Sequence, residues 1–71
     1  MYDPTSGQAP QTNNDAVILG LFLGLTGPTE EGRAEAIRLI EDIAARMTPE
    51  AVKRCKTVAL RYAEVAWGEV G

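Results

Sequence analysis

Hydrophobic residues crowd into one uncharged run, Ala16-Val-Ile-Leu-Gly-Leu-Phe-Leu-Gly-Leu25, with Asn14 and Asp15 before it and Gly27-Pro28 after it. So apolar a run also suits a strand, and Val17 and Ile18 favour one. Gly20 and Gly24 at a spacing of four, a capping residue in front and a Gly-Pro stop behind favour a helix. The pattern predicts a helix over about residues 15–26, capped by Asn14 or Asp15 and closed by Gly27 in a left-handed turn. Ala16, Gly20 and Gly24 share one narrow face of that helix, and large apolar side chains occupy the rest.

From Thr29 onward the period changes. Ala36, Ile37, Leu39, Ile40, Ile43, Ala44 and Met47 fall on a single arc of about 160°, with Arg38, Glu41, Asp42 and Arg46 opposite. Glu30 and Glu31 lie in the first turn, where negative charge complements the helix dipole. A second helix is predicted over about 29–47. Thr48-Pro49-Glu50 then reads as cap, first helical position and first-turn acid of a third helix, over about 49–68. A break this short folds the second and third helices back as an antiparallel hairpin. On the third helix Leu60, Ala63 and Trp67 form a stripe just beyond the arc that holds Val52, Val58, Tyr62 and Val65.

Residues 1–14 carry two prolines, a glycine and small polar groups, with no helix or strand period. They read as a flexible or extended tail, with Tyr2 as its one sizeable apolar group. Residues 15–71 then form a single helical domain.

The chain's 71 residues allow one domain, and a chain this short buries little surface on folding. Cys55 is the only cysteine and histidine is absent, so neither an internal disulfide nor a structural zinc site is available as a staple. The formal charge of −3 argues against nucleic acid as the main ligand. Residues 1–15 contain no Lys or Arg, which does not fit a secretory leader, and the lone thiol suits a reducing, cytoplasmic setting. The apolar run is too short to cross a bilayer.

Candidate chemistry is sparse. Without histidine, the usual general base near neutral pH is missing. Cys55 lies at the centre of the third helix's apolar arc, where a cysteine packs as a small hydrophobe. The carboxylates are scattered over helix exteriors, and no phosphate-loop pattern surrounds Gly20 and Gly24. The reading is therefore non-enzymatic: no catalytic or metal-ligating residue, no cofactor and no small-molecule substrate. Lys53, Arg54, Lys56 and Arg61 form the one basic cluster. They are the contacts of an alternative reading, a small helical DNA-binding regulator, although on the wheel they spread around the helix instead of lining one face.

The first helix is what asks for a partner. A helix apolar all round is buried all round, and two neighbours cover only one side of it. Its seven large side chains offer on the order of 10–20 kcal/mol on burial, so those left uncovered favour association. The expectation is an all-α protein in which a short apolar helix packs on an antiparallel helical hairpin and oligomerisation completes the core. Its function would be a protein–protein interaction module, a homodimer or a subunit of a larger assembly. The predicted interface takes Val17, Leu21, Phe22 and Leu25 from the first helix, and Leu60, Ala63 and Trp67 from the third.

Overall fold

A computed structural model describes residues 2–70, with side chains through residue 68; Met1 and Gly71, the outer ends of the tail and of the helical domain, lie outside it. The chain is all-α. Helix α1 spans Asn13–Thr26, α2 Glu30–Ala45 and α3 Pro49–Val70, and no strand occurs among the described residues.

Each helix starts where a threonine can satisfy its free N–H groups. Thr12 caps α1, its Oγ1 accepting from the Asp15 N–H at 3.1 Å. Asp15, three residues into the motif, reaches back to accept the Gln11 N–H at 3.4 Å. The cap thus lies ahead of Asn14 and Asp15 because a threonine and an acid at this spacing act as a pair. Thr29 Oγ1 accepts from the Gly32 N–H at 3.0 Å, and Thr48 Oγ1 from the Ala51 N–H at 3.1 Å. Helix α2 ends at Ala45, short of Met47. Its last turn tightens, with the Arg46 N–H on Ile43 O and the Met47 N–H on Ala44 O, both at 3.1 Å.

Gly27 ends α1, but not in the left-handed region: its φ is −55° and its ψ 145°. Pro28 forces the residue before it into extended backbone. Glycine is needed here for space. A β-carbon would lie 2.8 Å from Leu23 O and 2.9 Å from Arg33 Cγ, and the Arg33 guanidinium donates to Gly27 O at 2.8 Å.

Helix α1 is the central element. Gly20 faces Ile40, Gly24 faces Ile37 and Gly27 faces Arg33, so α1 and α2 run antiparallel with their backbones close. Against α3, the Asn14 carbonyl accepts from the Cys55 thiol at 3.7 Å, and Leu25 lies beside Leu60, so α1 and α3 run in the same sense. Helix α3 meets α1 through a buried ridge of small residues, Cys55, Ala59 and Ala63, at a spacing of four. Helices α2 and α3 run in opposite directions, as the short Thr48 break predicts. Their backbones scarcely approach each other, because α1 packs against both.

The resulting core is thin. Val17, Ile18, Ile40 and Cys55 form its centre, flanked by half-buried Leu21, Ile43, Met47 and Val58. Val17 is the largest side chain wholly shielded from solvent. The tail contributes to this core. Tyr2 packs against the central cluster and donates its hydroxyl to Gln8 O at 2.8 Å, while Pro4 is buried. A turn holds this arrangement: the Asp3 carboxylate accepts from Thr5 N–H at 2.8 Å and Thr5 Oγ1 at 2.6 Å, and Gly7 supplies a left-handed φ of +81°.

Candidate interaction surface

A 160° apolar arc on α2 is wider than one neighbouring helix covers. Ile40, near its middle, seats on Gly20. Leu39 and Ile37 stand at opposite edges of the arc, and α3 does not reach across to cover either. Each edge therefore borders a depression with an apolar lining.

The larger lining is on the Leu39 side. Leu39 is 69% exposed, and with Ile43 of α2 and Leu19 and Leu23 of α1 it surrounds a trough of about 250 Å³. Gly20, Ala36 and Pro10 of the tail lie in the same lining. The uncovered outer face of α1 thus continues directly into the uncovered edge of α2.

On the Ile37 side, Leu21 and Leu25 of α1 meet Leu60 of α3 across a groove of about 300 Å³, with Lys56 as its only charged neighbour. Of the seven residues singled out in the sequence, these three are brought together. Phe22 is half-buried. Trp67 is exposed and lines neither depression.

Two of the seven are not available to a partner. Val17 and Ala63 are both 0% exposed, inside the chain's own fold. Val17 faces the wedge between α2 and α3. Ala63 belongs to the small-residue ridge that lets α3 approach α1, and Leu60 and Trp67 flank that ridge. Leu19, Leu23, Leu39 and Ile43, absent from the sequence-derived surface, form the broader face in their place.

The polar groups are arranged as separate surface features. Cys55 is buried; desolvation pushes its thiol above the ordinary range, and the negative charge of Asp15 adds to the shift. Arg54 and Arg61 border a shallow depression with Thr57, Val58 and Tyr62, whereas Lys56 borders the Leu60 groove. The cations of α3 are thus divided between two sides of the helix. Among the described residues the one ion pair is Arg46 with Asp42, at 3.4 Å and open to solvent, and no three metal-ligating side chains cluster. Among the described residues no helix is long and apolar enough to cross a membrane.

No protein-family model, curated protein or solved structure matches the chain.

Proposed function

We propose that this chain is a non-enzymatic protein–protein interaction module, a small helical subunit that completes its apolar surface against another protein chain. One observation carries the reading: Leu19, Leu23, Leu39 and Ile43 form a continuous apolar face across α1 and α2, with Leu39 largely in solvent. Each leucine or isoleucine moved from water into an interface contributes about 1.5–3 kcal/mol, and a contiguous patch of them is a binding surface or an aggregation liability. The thin core adds to the case. A chain of 7.6 kDa with a core built mostly on glycine, alanine and a few branched residues gains from any partner that withdraws more apolar area.

The residue inventory supports binding over catalysis. Histidine is absent, the single thiol is buried and held protonated, and the carboxylates form no facing pair with a base. A free buried thiol suits a reducing compartment such as the cytoplasm. The DNA-binding alternative has less support, because Lys56 and the Arg54–Arg61 pair lie on different sides of α3 and do not form one stripe.

Light scattering over a concentration series, with binding of an anilinonaphthalene dye measured in parallel, tests the proposal. The expected result is a mass that rises above that of the single chain, or a monomer whose apolar face takes up the dye. A strict monomer at millimolar concentration that binds no dye overturns it.

A further inference from the structure

Resting on the interaction-module reading but on a surface apart from the Leu39 face, we infer that α3 pairs with α3 of a second copy of this chain, antiparallel, with the two-fold axis at Leu60. Lys53, Lys56, Leu60, Glu64 and Trp67 are all exposed. At about 100° per residue they fall on one strip of α3 about 80° wide. Cys55, Ala59 and Ala63, which meet α1, are buried on another side of the helix.

The order of residues along the strip selects the partner. Lys56 stands four residues before Leu60 and Glu64 four after; Lys53 stands seven before and Trp67 seven after. In an antiparallel pair with its two-fold axis at Leu60, each residue meets the one equally far on the other side of Leu60. Lys56 of each copy then faces Glu64 of the other. The ammonium of Lys53 faces the indole of Trp67, a favourable cation–π pair. The two Leu60 side chains meet at the axis, beside the grooves lined by Leu21, Leu25 and Ile37. A parallel pair in register sets Lys56 against Lys56 and Glu64 against Glu64 instead.

Within one chain these charges have no such complement. Lys56 and Glu64 stand about 12 Å apart along the helix at 1.5 Å per residue. Among the described residues the one ion pair is Arg46 with Asp42. Arg54 and Arg61 lie off the strip, beside Val58 and Tyr62. The Leu39 face lacks this property. The edge of α2 beside it carries Glu31, Glu35 and Asp42 against Arg46 alone, and Asp42 already engages that arginine. A second copy there brings one acidic edge to another.

Charge reversal followed by sedimentation equilibrium of the full chain tests the inference. The wild-type chain should dimerise, and the emission of Trp67, the only tryptophan, should move to shorter wavelength as concentration rises. Lys56→Glu and Glu64→Lys should each weaken dimerisation about 10-fold or more, because each sets like charges together at both ends of the pair. An equimolar mixture of the two variants should form a heterodimer within about 3-fold of wild-type affinity, since every facing pair is then opposite in charge. Mixing does not repair a variant that fails to fold, so this rescue separates an interface role from a structural one. Leu39→Asp should leave dimerisation intact and lower dye uptake. A dimer that survives both reversals, or whose loss mixing does not restore, overturns the inference. So does a dimer that dissociates only in Leu39→Asp, or a wild-type monomer that binds the dye; both leave the interaction-module reading standing. A wild-type monomer that binds none overturns both.

Discussion

Gly20 and Ile40 occupy one another's space: a β-carbon on Gly20 would fall within the van der Waals envelope of Ile40 Cγ2 and only 3.2 Å from Cδ1 and Cγ1. Glycine is a poor helix former, costing about 1 kcal/mol relative to alanine. Here its lack of a side chain lets α2 settle onto α1. Gly24 repeats the relationship one turn on, where a β-carbon would lie 2.8 Å from Ile37 Cγ1.

Gly20→Ala is therefore expected to destabilise the protein despite its gain in helix propensity. Overpacking costs about 1–3 kcal/mol, which outweighs that gain at most of this range. Urea denaturation should show a lower midpoint, and Ile40→Val in the same chain should recover part of it. Gly68→Ala is the contrast. Nothing lies within 4 Å of a β-carbon there, so the propensity gain of up to about 1 kcal/mol should appear as added stability. Equal effects from the two substitutions would contradict the close-packing account.

The pH dependence of stability should bear the mark of Cys55. Burial raises its folded-state pKa, with Asp15 adding to the rise, so the folded chain holds the thiol proton more tightly than the unfolded chain does. The associated stability is fully present below the unfolded thiol value of about 8.5 and is lost as pH climbs toward the folded value. The urea midpoint should therefore fall as pH rises above the unfolded thiol value. The Cys55→Ala chain should fall less over the same interval; an identical fall in both would place the effect elsewhere.

Tyr2 joins the tail to the core beside that same thiol, since both line one depression with Ile18 and Val58. Tyr2→Ala should cost about 1–2 kcal/mol from lost apolar burial and the lost bond to Gln8 O. It should also speed labelling of Cys55 by a thiol reagent under native conditions. Wild-type labelling rates in Tyr2→Ala would mean that the tail does not shield the thiol.

Thr48 holds the start of α3 through its bond to the Ala51 N–H. Thr48→Ala should lower stability by about 1 kcal/mol, whereas Thr48→Ser or Thr48→Asp should retain most of it. A serine variant as weak as alanine would show that the hydroxyl is not the stabilising group.

Helix number, order and approximate ends were legible because they depend on local signals. Threonine caps, the Pro49 start, the Gly27-Pro28 stop and the apolar periods of α2 and α3 each act within a few residues of chain. The inward position of Cys55 was legible from the same wheel. Val17 and Ala63 were placed at an interface because a wheel reports that a face is apolar, not which apolar face meets which neighbour. The tail of Tyr2 looked featureless because its contacts are with residues far along the chain, such as Cys55 and Val58.

By itself the sequence determined three helices, an uncharged first helix and a chain without histidine or a second thiol. Each follows from residue identity and short-range backbone physics. Only the tertiary structure decided that α1 lies against both other helices, with Gly20 and Gly24 admitting α2 and Cys55, Ala59 and Ala63 admitting α3. That choice leaves α2 without a second neighbour, and so it places Leu39 in solvent. The reason is geometric: an apolar arc fixes how much surface a helix must cover, and only the packing of whole helices fixes what covers it.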